Sequence, residues 1–427
     1  MSVNFFKTVG GAINVTFGPY NGYLYFFHSD GTYSRFNRMT CEIEYYAPMG
    51  NWNNWPSQWQ YPYATASWDN QYVYFLHNPD YVAYNLNTDR LDGPMSPMTN
   101  FVGWPSNWMD RVDAALYAGY HPGSGRRKAY FFRDDEYIRY DLQANGVESG
   151  YLPPAKIAQW WPGWPAHWRQ VWAAVDWGNG KIYFFSETEY LRYDKFYDQV
   201  DPGYPLPLYR FIQEHQDKLV DESQSLFMEG QVPPSARPGF VGNVRAIAKQ
   251  LDIRPNWLMA SMWMESGFNP QVGRNGGPYV GLHQMSLPLI YGYWGRTAMP
   301  ARYPDLFHGQ PFEQLGSDAR LKLAQEFADL GFDQIFTIGL WLKSSLARLG
   351  KCRSFDQFRL IGFGGVGFAQ VDGTLLANVV ANSNPRYDLN KDGRIDVAEF
   401  RAAVFDILHD RFKNNPAMDS ALRHSLG

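Results

Sequence analysis

The sequence of 427 residues has few cysteines, no excess of either charge and no long hydrophobic run. Its two cysteines, Cys41 and Cys352, lie in opposite halves of the chain, which excludes a disulfide framework and favours two buried thiols over one inter-domain bridge. The formal net charge of −4 argues against a nucleic-acid partner. Because no apolar stretch reaches the length of a transmembrane helix, we expect no membrane span.

The first residues also lack the features of a Sec signal peptide. Residues 1–11 contain no basic region followed by an apolar core and a small-residue cleavage site. The length predicts two domains rather than one. Proline and glycine concentrate at 230–239, as in a linker. The predicted organisation is therefore a first domain over 1–205, a helix and linker over 206–240, and a second domain over 241–427.

Aromatic residues are concentrated in the first half of the chain, where they recur at a regular spacing. Twelve of the sixteen tryptophans lie before residue 205. A Tyr-Phe-rich segment occurs at 23–27, 72–76, 128–132 and 181–185, and a second aromatic segment follows each at 33–36, 81–84, 137–140 and 190–193. Three units end in a Trp-Pro box, at 55–59, 104–108 and 164–168. A period of about fifty residues predicts one four-stranded blade per unit and hence a four-bladed β-propeller.

These units resemble the hemopexin repeat, above all at Asp113-Ala-Ala115, Tyr137-Ile-Arg-Tyr-Asp141 and Trp161-Pro-Gly-Trp-Pro165. Hemopexin domains of secreted animal proteins usually close their ring with a disulfide between the first and last blades. The fourth unit here has no cysteine, so we expect closure by packing. The resemblance leaves two roles open: a scaffold whose aromatics form blade cores, or a domain that binds a protein, glycan or ion through a face or the central channel.

The second half of the chain has helical periodicity and one distinctive acid, Glu265. Leu258, Met262 and Glu265 recur at helical spacing after Pro255, and Gly267 marks the end of the helix. Desolvation and the negative end of the helix dipole both disfavour a charged carboxylate there, so we expect the pKa of Glu265 to be raised. A carboxylic acid that stays protonated near neutral pH can protonate the leaving oxygen of a glycosidic bond.

Glu265-Ser266, followed by Gly281-Leu-His-Gln284, resembles the family of soluble lytic transglycosylases and goose-type lysozymes. Residues 334–342 and 362–367 lie where that family has its later motifs, so the resemblance extends over residues 240–410. It implies an α-rich, lysozyme-like domain after the propeller. It also implies that Glu265 is the general acid/base that cleaves the β-1,4 bond between N-acetylmuramic acid and N-acetylglucosamine in peptidoglycan.

The same resemblance places further residues at the substrate. Ser266 and Gln284 would contact the glycan, although Ser266 suits helix capping equally well. Tyr279 and His283 lie beside the cleft by sequence, where a structural role is favoured for both. The family's Tyr-Asn pair falls on Gly362-Phe363, which puts Phe363 at the sugar and leaves transglycosylase and hydrolase outcomes open. A hydrolase that inverts needs a second carboxylate, for which Asp305 and Glu313 are available.

Residues 388–399 match the twelve-residue EF-hand loop at every oxygen-bearing position, with glycine at the sixth position. Pro385 shortens the entering helix, and no second loop of this kind is visible, so a structural ion is favoured over a sensor. The predicted Ca²⁺ ligands are Asp388, Asn390, Asp392, the Arg394 carbonyl, Asp396 through water, and Glu399.

Together these features predict a peptidoglycan-degrading enzyme, a lytic transglycosylase or muramidase, delivered as an antibacterial effector. Without a visible signal peptide, we expect export by a specialised route to the periplasm or cell wall of a target bacterium. The expected partners are peptidoglycan strands, a protein or glycan ligand of the propeller, a secretion-system component and an immunity protein. Two alternatives remain: a chitin-type glycosidase that uses Glu265, and a non-enzymatic adhesin that binds glycan or protein.

Overall fold

The computed structural model describes residues 9–15, 22–69, 71–120, 126–362, 374–376 and 384–427. The chain folds into two compact units. Residues 1–218 and 367–427 form the first, here called the propeller unit, and residues 219–366 form the second, the helical unit. In this division the last sixty or so residues group with the propeller, whereas the predicted second domain runs over 241–427. The contacts responsible join residues far apart in the chain, which no local sequence pattern reveals.

The propeller unit contains four antiparallel sheets, as the repeats predicted. Their innermost strands contact one another in a closed ring, and the third strand of blades two to four pairs with two short outer strands. The first blade consists of β1 (Val9–Val15), β2 (Tyr23–His28), β3 (Thr32–Asn37) and β4 (Glu42–Pro48). The second consists of β5 (Ala64–Asp69), β6 (Tyr72–His77), β7 (Asp80–Asn85), β8 (Arg90–Leu91) and β9 (Ser96–Pro97). The third consists of β10 (Ala114–Tyr120), β11 (Arg127–Arg133), β12 (Glu136–Asp141), β13 (Gly146–Val147) and β14 (Ala155–Lys156). The fourth consists of β15 (Ala173–Asp176), β16 (Lys181–Phe185), β17 (Glu189–Asp194), β18 (Gln199–Val200) and β19 (Leu206–Pro207).

Helices make up most of the remaining regular structure. A short helix, α1 (Ile157–Trp160), precedes the last Trp-Pro box, and α2 (Arg210–Gln224) follows the fourth blade. The helical unit contains α3 (Arg237–Leu251), α4 (Pro255–Ser266), α5 (Leu287–Ile290), α6 (Arg296–Arg302), α7 (Pro304–Phe307), α8 (Ser317–Asp329), α9 (Gln334–Leu349) and α10 (Phe355–Gly362), with a hairpin of β20 (Tyr279–Val280) and β21 (Met285–Ser286). The C-terminal part of the propeller unit contains β22 (Thr374–Leu376), β23 (Ile395–Asp396), α11 (Val397–Phe412) and α12 (Pro416–Leu426). None of the described helices is long and apolar enough to cross a membrane.

The repeated aromatics form the cores between blades. Trp52 packs edge-on against two residues of the second blade, with ring centroids 5.2 Å from Phe75 and 4.8 Å from Tyr84. Trp161 makes the equivalent contacts with Phe184 at 5.2 Å and Tyr193 at 4.8 Å in the fourth blade. Such pairs add favourable quadrupole interactions to the burial of large apolar surfaces. The high tryptophan content of the first half is therefore used for packing between neighbouring blades.

Packing closes the ring between the first and fourth blades, as expected from the missing cysteine. Cys41 is a buried thiol that takes no part in a disulfide. Phe26 of β2 contacts Phe185 of β16 directly, with ring centroids 5.7 Å apart. Phe211 of α2 lies against both, at 6.0 Å from Phe26 and 5.3 Å from Phe185. The helix that follows the last blade thus occupies the seam that a disulfide would otherwise secure.

The C-terminal helix α12 provides a second connection across this seam. Arg423 is fully buried, and its guanidinium donates to Asp194 of β17 at 2.6 Å and to Asp419 at 2.8 Å. On the first blade, Arg38 donates to the carbonyl of Gly427 at 3.2 Å. Gly180, with φ of +80°, leaves the space that Arg423 fills, because a Cβ there would lie 2.6 Å from its Nη1. The end of the chain is therefore part of the propeller.

Candidate functional site

Glu265 lies in the last turn of α4, at the end of the helix that reaches solvent. Its side chains are buried on nearly all faces, including Trp257, Leu258 and Met262 at 0% exposure. Gly267 ends the helix with a φ of +61°, as the sequence predicted. The Glu265 side chain is 29% exposed. A carboxylate held on a rigid helix and open to solvent has the geometry that a catalytic acid requires.

Arg359 is a partner of Glu265 that the sequence did not identify. Its Nη2 donates to Glu265 Oε1 at 2.6 Å, and its side chain, on α10, is only 5% exposed. Its Nη1 donates to Ser261 Oγ at 2.8 Å, one turn before Glu265 on α4. A cation this close favours the ionised carboxylate, in opposition to the protonated form expected from desolvation and the helix dipole. Because 94 residues separate the two partners, no motif signals the pair.

His283 extends this hydrogen-bonded group on its buried side. Its Nε2 lies 2.9 Å from Ser261 Oγ. Burial lowers the pKa of His283 to about 4, with Glu265 raising it and the Arg359 charge lowering it. His283 is therefore neutral near pH 7, and since Ser261 Oγ accepts from Arg359, its hydroxyl proton is available to His283 Nε2. The structural role favoured for His283 stays a prediction.

Two other sequence-predicted substrate residues, Ser266 and Gln284, make hydrogen bonds within the fold. The Ser266 hydroxyl is within hydrogen-bond distance of the carbonyls of Met262, at 3.0 Å, and Leu282, at 2.9 Å, so it joins the end of α4 to the following loop. Gln284, with φ of +48°, donates from Nε2 to the Gly281 carbonyl at 2.9 Å. Tyr279 on β20 is 54% exposed. Their glycan contacts stay predictions.

Gln334 is a site residue to which the sequence assigned no role. It is fully buried at the start of α9, and its Oε1 accepts from the Leu282 backbone N–H at 2.8 Å. Its Nε2 donates to the carbonyls of Pro270 and Phe327, each at 3.0 Å. Gly281 has φ of +85°, and a Cβ there would lie 2.2 Å from Gln334 Oε1. Glycine at 281 and glutamine at 334 together fix the loop beside Glu265.

The remaining predictions around Glu265 are undecided. Phe363 lies outside the described residues. Asp305 lies on α7 and Glu313 in the short turn 312–314, and both residues are exposed.

The predicted calcium loop lies in the propeller unit. The Asp388 carboxylate accepts from the backbone N–H of Asp392 at 3.1 Å and of Gly393 at 3.0 Å. Glu399 is only 1% exposed and accepts from the backbone N–H groups of Asn390 and Asp396, each at 3.0 Å. Burial, reinforced by the neighbouring Asp396 and Asp392 charges, raises the pKa of Glu399 to about 7 despite those backbone hydrogen bonds.

This chemistry fits a calcium ion. A buried acid beside other acids is stabilised by a nearby cation, and all the side-chain donors are oxygens, which Ca²⁺ prefers. In the described ranges, no three His, Cys, Asp or Glu side chains converge on one metal position. Strand β23, within the loop, pairs with β22, and Leu376 lies opposite Ile395. Calcium binding itself stays a prediction.

A cavity of about 200 Å³ lies along the inner strands of the propeller. One face of α11 forms part of its wall through Ala398, Arg401, Ala402 and Phe405. The strand side of the wall includes Asn14, Thr65, Tyr117 and Asp176, one from each innermost strand. The propeller's central space is thus enclosed in part by a helix of the same chain, directly after the calcium loop.

Comparisons with known proteins find similarity in the N-terminal half of the chain. The Hemopexin family model matches residues 171–212. Stromelysin-1 of Mus musculus is 28% identical over 175 residues, covering 39% of this chain and 32% of that protein, so the match spans about a third of that protein's length. Two plant structures are also similar to this chain. The alignment with the hemopexin fold protein CP4 from cow pea has 12% sequence identity and a TM-score of 0.40, and it covers 50% of this chain and 97% of CP4. The alignment with the seed albumin LS24 from Lathyrus sativus has 14% identity and a TM-score of 0.41, and it covers 49% of this chain and 97% of LS24.

The N-terminal half is therefore a hemopexin-like domain with a four-bladed propeller. A helical region follows it.

Proposed function

We propose that the helical unit is a lysozyme-like catalytic domain that cleaves the β-1,4 MurNAc–GlcNAc bond of peptidoglycan. The supporting observation is Glu265 itself, a carboxylate 29% exposed at the end of an otherwise buried helix. Its setting is rigid: Arg359 holds one oxygen, and Ser266 and Gln334 fix the adjoining loop. A catalytic group needs such preorganisation, because it must already be oriented correctly when the transition state forms.

In the proposed reaction, protonated Glu265 gives its proton to the glycosidic oxygen as the bond from that oxygen to the sugar C1 breaks. The resulting carboxylate then accepts a proton from the group that attacks C1. If that group is the C6 hydroxyl of the muramic acid, a 1,6-anhydro product forms and Glu265 is reprotonated. If it is water, the product is a reducing end; in an inverting enzyme, however, a second carboxylate accepts the water's proton in place of Glu265, and proton exchange with solvent then restores both acids.

The propeller unit is proposed to target or load this enzyme. Its hemopexin-like fold supports a binding or scaffold role, which also keeps the non-enzymatic adhesin as a second candidate. Under the main proposal the protein is an exported antibacterial effector that acts in the periplasm or on the cell wall of a target bacterium. Its further partners would be a secretion-system component and an immunity protein.

One Ca²⁺ would be held by the residues predicted from the sequence. When bound, it supplies positive charge to a cluster of carboxylates at the start of α11. Asp388, Asn390, Asp392 and Glu399 would provide side-chain oxygens, Arg394 its carbonyl, and Asp396 a water-mediated contact.

The decisive experiment is digestion of purified peptidoglycan with wild type and Glu265→Gln, with the muropeptides resolved by mass. Asp318→Asn is a suitable control, since that exposed acid at the start of α8 lies in the same unit and has no proposed part in the reaction. Anhydro-muramic products from wild type and the control alone would indicate a lytic transglycosylase, and products heavier by one water would indicate a muramidase. Equal, negligible cleavage by all three proteins over a range of pH and calcium would reject the enzyme in favour of the adhesin. Chitin digested in parallel tests the other glycosidase.

A further inference from the structure

Four side chains of the helical unit form one continuous hydrogen-bonded group that the reaction above does not fully use. Arg359 is its centre, with Glu265 on one guanidinium nitrogen at 2.6 Å and Ser261 on another at 2.8 Å. Ser261 in turn contacts His283 at 2.9 Å. Arg359, Ser261 and His283 are at most 6% exposed, whereas the Glu265 side chain is 29% exposed.

We propose that Arg359 is a positioning residue that keeps Glu265 ionised at rest and thereby sets the pH range in which Glu265 acts as an acid. This inference rests on the proposed function, since it concerns the same carboxylate. The inference adds a residue of α10 to the site, which otherwise consists of the Glu-Ser motif and the loop at 281–284.

The geometry gives Arg359 little freedom to leave Glu265. A guanidinium is planar, so fixing one nitrogen on Ser261 also fixes the direction of the other. Ser261 lies one turn before Glu265 on α4. The fork of Arg359 therefore spans consecutive turns of the helix that carries the acid, and the cation stays in place as the carboxylate gains or loses its proton.

Two ionisable side chains among the contacts described above lie close to Glu265. Arg359 faces it from α10, and His283 approaches from the loop after β20. His283 is neutral near pH 7, because burial lowers its pKa to about 4. It neither repels Arg359 nor competes with it for Glu265. The proton needed for glycosidic cleavage must consequently be held against an adjacent positive charge, which favours activity at lower pH.

The test compares Arg359→Met and Arg359→Lys with wild type by two independent readouts. The first is the titration midpoint of the Glu265 carboxyl, followed by carbon NMR and assigned by the signal missing in Glu265→Gln. The second is the pH profile of peptidoglycan cleavage. Removal of the cation should raise both the midpoint and the alkaline limit of activity by roughly 1–3 pH units in Arg359→Met. Arg359→Lys, which keeps the charge, should shift them less.

Arg274→Met is the matched control, because Arg274 pairs with Asp329 at the surface of the same unit and should shift neither readout. If Arg359→Met does not fold, Ser261→Ala removes one anchor of the guanidinium and provides the titration instead, with a smaller rise expected. An unchanged Glu265 midpoint in the folded variants would overturn the inference even if wild type cleaves peptidoglycan. A raised midpoint in a protein that cleaves nothing would support the inference while the proposed function fails.

Discussion

Each unit of the molecule contains a buried arginine paired with carboxylates, and the two pairs differ in how far their acids are enclosed. Arg423 of the propeller unit is 0% exposed, and its partners Asp194 and Asp419 are 1% and 0% exposed. Arg359 of the helical unit is 5% exposed, but its partner Glu265 is 29% exposed. A fully enclosed pair can only connect parts of the fold, whereas a half-open pair holds a carboxylate where a ligand can reach it. The same interaction therefore serves structure in one unit and is available for chemistry in the other.

The enclosed pair belongs to a larger buried network. Lys181 is 0% exposed and contacts Asp194 at 2.7 Å, Asp201 at 2.8 Å and the Ser420 hydroxyl at 2.7 Å. Removing one member of such a network leaves another charge buried without its counterpart, which is costly. The network joins the fourth blade to α12, so we expect loss of a single charge there to destabilise the propeller unit.

The largest effect is expected from Arg423→Met. Asp194 and Asp419 would lose a buried cation, so the free energy of unfolding of the propeller unit should fall by about 3–5 kcal/mol. Denaturant unfolding followed by tryptophan fluorescence measures this, because twelve of the sixteen tryptophans precede residue 205. Arg386→Met is the control, since Arg386 and Asp410 form an exposed pair and should contribute under about 1 kcal/mol. Equal effects of the two substitutions would remove the distinction between enclosed and open pairs.

A second prediction concerns pH and should affect the two units alike. His28 of β2 lies 2.9 Å from Ser34 Oγ, and His283 lies 2.9 Å from Ser261 Oγ. Burial lowers the pKa of each from the ordinary 6.5 to about 4. The unfolded chain therefore binds a proton below pH 6.5 that the folded chain binds only below about pH 4. Each histidine therefore contributes its full stabilisation above pH 6.5. That contribution decreases as the pH falls towards about 4, by about 3 kcal/mol for each histidine.

Denaturant unfolding at several pH values between 7.5 and 4.5, read separately for the two units, measures this slope. His28→Gln should flatten it in the propeller unit alone and His283→Gln in the helical unit alone. His308→Gln, at an exposed position, should leave both slopes unchanged. A slope that survives both buried substitutions would mean that carboxylates, not these histidines, dominate the acid sensitivity.

Gly281→Ala tests the half-open side of the comparison by disturbing the loop next to Glu265. Alanine at φ of +85° is strained, and its Cβ would lie 2.2 Å from Gln334 Oε1 and displace the hydrogen bond to Leu282. The helical unit should lose about 2 kcal/mol of stability. Gly242→Ala, at an exposed position in α3 with open space around the Cβ, should instead stabilise the same unit by about 0.5–1 kcal/mol. Urea unfolding of both variants gives the signs, and a neutral Gly281→Ala would mean that the loop adapts freely.

The predictable parts of this molecule are those that short segments encode. The four blades follow from an aromatic repeat, and the cap at Gly267 and the position of Glu265 follow from one helix and its end. Arg359 and Arg423 escaped prediction because their partners lie 94 and 229 residues away. The sequence around an arginine in a helix does not indicate which distant carboxylate it pairs with in the folded protein. The same reason explains why the grouping of the C-terminal helices with the propeller was not expected and why Gln334 received no role.

The propeller unit should respond to calcium while the helical unit does not, because residues 388–399 belong to the former. If the loop binds one Ca²⁺ in the folded state only, free calcium at ten times its Kd should stabilise the propeller unit by about 1.4 kcal/mol. Glu399→Gln removes a charged ligand at the first turn of α11 and should abolish the response. Asp410→Asn, on the exposed part of the same helix, should preserve it. Calorimetry with calcium or with a chelator measures the unfolding temperature of each unit. An equal shift of this temperature in both units would indicate a general ionic effect. No shift would mean that the backbone hydrogen bonds of the loop already satisfy its carboxylates without an ion.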